Sequence, residues 1–137
     1  MPWTVFTEPE VAQCGLTEAE ARRHYAARDV RVARWPIERL DRAVTGHDRH
    51  GFVKIVHRPN GQILGAQIVS ARAGEMIAEI AMAIDHHLKL GDLAATLHIY
   101  PSYAIGVQQL AADVRIRALS RSPVVKLARR VAQRYRK

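Results

Sequence analysis

Hydrophobic positions alternate at strand spacing through much of the first half of this 137-residue chain and recur at helical spacing through the second. "TVFTEPEVAQCGLT" carries β-favouring residues interrupted by Pro9 and Gly15, which predicts two short extended segments around a bend. In "TEAEARRHYAA", Thr17 and Glu20 stand at capping-box spacing, where each side chain satisfies a free backbone N–H at a helix start. From Asp29 to Trp35, Val30 and Val32, then Ala33 and Trp35, alternate with arginines as in a half-buried strand that Pro36 ends. "GFVKIVH" and "QILGAQIVS" flank "RPNG", and Asn60-Gly61 supplies the positive φ of a tight antiparallel hairpin.

The second half reads as helices. Ile77, Ile80, Ile84 and Leu88 recur at helical spacing, and Met76 and Ala83 widen the stripe. This predicts a helix from Ala73 to Lys89 stopped by Gly91, apolar enough to face both its own sheet and a partner. A short helix follows from Asp92, and Tyr100-Pro101 breaks the chain. Ser102 is placed to cap a further helix with Ala104, Val107, Ala111 and Val114 on one face. Ser122-Pro123 reads as a cap and first residue of a restarted helix. Sheet first and helices afterwards is an α+β order, an antiparallel β-sheet flanked by α-helices. Neither a GxGxxG nor a GxxxxGK[ST] phosphate loop is present.

Composition adds one boundary. With 48% hydrophobic and 25% charged residues the chain is ordinary for a globular domain. It has no bilayer-length apolar run and no N-terminal pattern of a secretion signal, so a cytoplasmic location is the default expectation. Residues 1–114 hold 12 Lys+Arg and 13 Asp+Glu; residues 115–137 hold nine Lys+Arg and no acid. The whole +8 excess therefore sits in a tail, with the domain read as 1–114 and the tail as 115–137. On a helix from Pro123, Val124, Leu127, Ala128, Val131 and Tyr135 share one side, while Lys126, Arg129, Arg130, Arg136 and Lys137 occupy much of the rest. A solvated helix packing on the domain is the first reading and an anionic membrane surface the second. Nucleic acid ranks last, because no base-reading motif accompanies the charge.

Chemistry-bearing residues are sparse. Cys14 is the only cysteine, which leaves no disulfide and no CxxC pair, and it reads as a small buried residue. His47, Asp48 and His50 form a loop cluster of ligand-type residues with no fourth partner in view, and adjacent His86-His87 on a helix point about 100° apart, so no metal site is assigned. "LHIYPSYAIGV" concentrates a histidine, two tyrosines and a proline in one turn.

Four fragments, "VFTEPEVAQCGLTEAEA", "GFVKIV" with "ILGAQIVS", "AGEMIAEIAMAI" and "LHIYPSYAIGVQQLA", occur in an order and spacing that resembles the C-terminal dimerisation domain of the flavin-dependent pyridine nucleotide-disulfide oxidoreductases, the family of glutathione reductase, dihydrolipoamide dehydrogenase and mercuric reductase. The likeness covers about residues 3–113. It implies an antiparallel sheet flanked by helices, a homodimer, and FAD and NAD(P) in a full-length parent. The family's terminal motif, approximately His-x-His-Pro-Thr-x-x-Glu, reaches the partner subunit's flavin and disulfide, with the second histidine as acid–base held by the glutamate. On this chain His98 takes the first histidine place, Tyr100 replaces the second, Pro101 is kept, Ser102 stands for threonine and Ile105 replaces the glutamate. A phenol with an ordinary pKa near ~10 does not exchange protons near neutrality as an imidazole at ~6.5 does, and isoleucine orients nothing.

The resemblance therefore implies a module without catalysis of its own. Tyr100 and Pro101 are its expected contact with a partner's flavin, and Met76, Ile77, Ile80, Ile84 and Tyr103 its expected dimer interface. A Tyr-Pro turn places mercuric-reductase-like members nearest. The flavin fingerprint, the CxxxxC pair and the nicotinamide domain are not in these residues, so no cofactor is assigned to this chain alone. The sequence reads as the C-terminal part of a flavoprotein or as a stand-alone module completed by flavoprotein domains of another chain. The runner-up is a basic membrane- or nucleic-acid-binding module on the same scaffold.

Overall fold

The computed structural model describes residues 1–121. Five strands, β1 (Trp3–Val5), β2 (Glu10–Gly15), β3 (Arg31–Pro36), β4 (Phe52–His57) and β5 (Ile63–Ser70), form one antiparallel sheet in the order β1-β2-β5-β4-β3. Register explains which side chains share a face. Cys14, Ala66, Ile55 and Ala33 lie across from one another, as do Ala12, Ile68, Val53 and Trp35. This face carries the main core, against α3 (Ala73–Asp85), α4 (Leu90–Ala95) and α5 (Ile105–Arg121). The other face packs only at one end on α1 (Glu18–His24), around Ala21, Val30, Val56 and Leu64. The restarted helix expected at Ser122-Pro123 and the apolar side of the tail lie outside the described residues.

Local signals account for several boundaries. Thr17 Oγ1 accepts the Glu20 N–H at 3.2 Å, and Glu20 Oε2 accepts the Thr17 N–H at 2.8 Å, which is the reciprocal cap that starts α1. At the hairpin only Gly61 takes positive φ, +88°; Asn60 instead accepts the Gln62 N–H through Oδ1 at 3.1 Å. No side chain of its own caps α3. Glu10 from β2 accepts the Gly74 N–H at 2.9 Å, placing a carboxylate at the positive end of the helix and pinning it to the sheet.

Two expectations change. The long helix ends at Asp85 rather than Lys89, because His87 turns left-handed at φ +57° and the chain closes with Leu88 N–H on Ala83 O at 2.8 Å and His87 N–H on Ile84 O at 3.1 Å. His86 and His87 thus lie past the helix rather than on it. Gly91 is no terminator: it sits inside α4, which starts at Leu90, where the backbone is tied to the hairpin tip by Leu90 N–H on Gly61 O at 2.9 Å. The helix expected after Ser102 is α5, which begins at Ile105 and runs to Arg121.

A short helix α2 (Asp41–Thr45), preceded by a single 3₁₀ turn at Ile37–Arg39, joins β3 to β4, and another 3₁₀ turn at Ala27–Asp29 joins α1 to β3. Ile37, Leu40 and Ala43 from this connection are buried in the core.

Candidate functional site: the Tyr-Pro turn

Between α4 and α5 the chain passes through Leu97 to Ala104 with a cis Tyr100-Pro101 bond. Alternate residues divide the turn into an anchored and a projecting side. His98 is the main anchor: its side chain is 8% exposed, Nδ1 lies 3.0 Å from Thr96 O, and Nε2 lies 2.8 Å from Glu79 Oε1 on α3. Both ring nitrogens thus lie within hydrogen-bond distance of oxygen atoms of the chain. Ser102 donates to Ile99 O at 2.6 Å while its Oγ accepts the Ile105 N–H at 3.3 Å, the capping role its sequence position predicts.

The two tyrosines are held by acids from distant segments. The Tyr100 hydroxyl donates to Asp41 Oδ2 at the start of α2, and that hydrogen bond, reinforced by the carboxylate's charge, raises the phenol's pKa above its ordinary value. The Tyr103 hydroxyl donates to Asp48 Oδ2 at 2.8 Å; burial first, then Asp48, raises this phenol too. The Arg42 guanidinium lies 5.8 Å from the centroid of the Tyr103 ring. A phenol that already donates to a carboxylate keeps its proton at neutral pH, so Tyr100 is a hydrogen-bonding group and no base. Ile105, at the glutamate place, packs against the main core instead of orienting a side chain of the turn.

What projects is apolar. Leu97 is 95% exposed, Ile99 83% and Tyr100 64%. The His98–Glu79 pair seats this tip beside the outer side of α3, where Ala78 and Met82 are also exposed.

The structure places the interface residues chosen from sequence largely inside the chain. Met76, Ile77, Ile80 and Tyr103 are buried in the chain's own core, and Ile84 is half-buried against it. The α3 stripe packs against β2 and β5 of the same chain. Sequence reasoning also missed Glu79 and Asp41, and it singled out Asp48 only as part of a ligand-type loop cluster; all three hold the turn. They lie 19, 59 and 55 residues from their partners, and no local pattern marks them.

Other candidates resolve simply. Asp48 serves Tyr103, and among the described residues no group of three or more His, Cys, Asp or Glu side chains is placed to hold a metal. Cys14 is 2% exposed, and burial pushes its thiol up to about 11. We expect an aromatic disulfide reagent at pH 8 to leave the folded chain unlabelled and to titrate one thiol after denaturation; rapid labelling of the folded chain would contradict the packing of β2.

Two open clefts, about 440 Å³ between β3 and α5 and about 530 Å³ beside α1, lie away from the turn, and neither has a glycine-rich loop at a helix start for phosphates. The exposed Tyr100-Pro101 tip offers an outward contact only.

Comparison with known proteins agrees with this architecture. Residues 1–111 match the family described as pyridine nucleotide-disulphide oxidoreductase, dimerisation domain. The chain is 37% identical over 116 residues to dihydrolipoyl dehydrogenase 2 of Haloarcula marismortui, covering 84% of this chain and 24% of that protein. It is 36% identical over 117 residues to dihydrolipoyl dehydrogenase of Bacillus subtilis, covering 85% and 24%. Among solved structures, LpdA from Mycobacterium tuberculosis superposes with a TM-score of 0.76 at 33% identity over 83% of this chain and 25% of that one. The Cu(II) complex of the HOCl-induced flavoprotein disulfide reductase RclA from Escherichia coli superposes with 0.77 at 28% identity over 83% and 26%. The chain thus spans about a quarter of the length of these relatives. The sequence relatives named here are dihydrolipoyl dehydrogenases, which gives no support to placing the chain nearest to mercuric reductases. With its sheet and four-fifths of its length accounted for in one pattern, the chain belongs to the pyridine nucleotide-disulphide oxidoreductase dimerisation-domain family.

Proposed function

We propose that this chain forms a homodimer through the projecting side of the Tyr-Pro turn, and that it serves an FAD-dependent, NAD(P)-linked flavoprotein without catalysing a reaction itself. One observation carries the reading: Leu97, Ile99 and Tyr100 stand in solvent on a turn held by the His98–Glu79 and Tyr100–Asp41 hydrogen bonds. Ordering an exposed apolar tip before contact reduces the entropy that association must overcome. Ala78 and Met82 extend the patch along α3. A two-fold axis through it would set the same residues of both copies against each other. In a longer parent, or beside flavoprotein domains of another chain, Tyr100-Pro101 would meet the flavin edge as an apolar, hydrogen-bonding wall. The half of the sheet that α1 leaves open, with exposed Trp3 and Val5, fits contact with such further domains. No proton-transfer step is assigned to the turn, because Tyr100 keeps its proton and Ile105 cannot orient a base.

Light scattering across a concentration series tests this directly. The 137-residue chain should give twice its 15.4 kDa mass. Ile99→Asp, which places a charge where the copies meet, should return the single-chain mass and leave the melting curve unchanged, since Ile99 touches little of its own core. A single-chain mass for the unmodified protein sinks the reading, and a dimer that survives Ile99→Asp moves the interface elsewhere.

A further inference from the structure

We propose that the outer part of α5 is a landing surface for anionic lipid headgroups, a role separate from dimerisation. The family pattern ends at residue 111, whereas α5 continues to Arg121. Over this extension the helix leaves the core: among the described residues Val114 is the last packed against it, and Ile116 and Leu119 are 62% and 54% exposed. At about 100° per residue, Ala112, Ile116 and Leu119 fall in one narrow sector. Ser120 shares it, but its hydroxyl donates to Ile116 O at 2.8 Å, so the sector presents no unsatisfied donor. Arg115 and Arg117, both exposed, flank Ile116 about 100° to either side.

This arrangement fits a peripheral lipid contact. The apolar sector can enter the headgroup boundary while the arginines lay their carbon stems along it and bring guanidinium groups to phosphates. Arg117 is partly neutralised by Asp113 at 2.8 Å, which leaves Arg115 as the stronger contributor on the described part. Sequence supplies the rest of the charge: residues 115–137 hold nine cations and no acid, while residues 1–114 are nearly balanced at 12 and 13. Among the described residues no helix is long and apolar enough to cross a membrane, so the contact lies on the surface. Nucleic acid would use the same cations but has no use for Ile116 and Leu119, and the apolar sector therefore favours lipid.

Co-sedimentation of the full chain with phosphatidylcholine vesicles, with and without phosphatidylglycerol, tests the proposal. Binding should require phosphatidylglycerol and vanish near 1 M salt, where screening shortens to about 3 Å. Arg115→Gln should weaken it about fivefold, and Ile116→Ser with Leu119→Ser about tenfold. These residues are exposed, so the circular dichroism spectrum and the light-scattering mass should not change; failure here leaves the dimer question to its own test. No binding to phosphatidylglycerol vesicles overturns the proposal. So does binding indifferent to the Ile116 and Leu119 changes, and a salt-sensitive complex with duplex DNA that is equally indifferent would assign the surface to nucleic acid instead.

Discussion

Ile80→Asp abolishes cooperative folding of this chain, where Ile99→Asp only separates two folded copies. Ile80 has no exposed surface and lies in the main core with Met76, Ile77 and Ala83. Removing its side chain costs about 2–5 kcal/mol through lost burial and a residual cavity. A carboxylate there adds several kcal/mol more, unless it takes up a proton. Domains of this size are stable by about 5–15 kcal/mol, so the sum consumes most or all of the margin. Thermal melts followed by circular dichroism should show a transition for Ile99→Asp and none, or one displaced by tens of degrees, for Ile80→Asp. A folded, monomeric Ile80→Asp chain would mean that the long helix does face a partner, as its sequence pattern alone suggested.

That contrast shows where the sequence was informative. Periodicity told correctly that α3 is apolar on a broad face, but it cannot tell who covers the face. A stripe containing Met76, Ile77, Ile80 and Ala83 has the same spacing whether β2 and β5 or a second copy lies across it. The Thr17–Glu20 cap, the hairpin and the Ser102 cap were legible because each is a contact among neighbours in sequence. The end of α3 was not: Lys89 and Leu90 are drawn to the hairpin tip at Gly61 and Gln62, and a histidine rather than a glycine takes the left-handed position. For the turn, the motif identified Tyr100, Pro101 and Ile105. It said nothing of what fixes them, since Asp41 and Asp48 come from the segment around α2, whose short elements show no sustained period.

Gly51→Ala tests that hidden support. Gly51 has φ +122°, a region that side chains with a Cβ rarely adopt, and a Cβ built there would come within 1.9 Å of the Val69 carbonyl oxygen on β5. The obstacle is backbone, so relief requires the start of β4 to move away from β5, where Phe52 pairs with Val69. Its own carbonyl also accepts the Ile37 N–H at 3.2 Å, which ties the connection to the core. Strain and overpacking together should cost on the order of 3 kcal/mol, roughly a 10 °C fall in melting temperature. Gly91→Ala is the matched control: nothing lies within 4 Å of its Cβ, and inside α4 alanine should gain up to about 1 kcal/mol. Because Asp48 precedes Gly51 by three residues and holds the Tyr103 hydroxyl, the displaced strand start should loosen that bond as well. Ultraviolet titration of the tyrosines should then find the Tyr103 phenol ionising at lower pH in Gly51→Ala than in the unmodified chain, with no such change in Gly91→Ala. An unaltered melting curve and tyrosine titration in Gly51→Ala would mean that this connection does not position the turn, and that Tyr103 is held by its packing on the core alone.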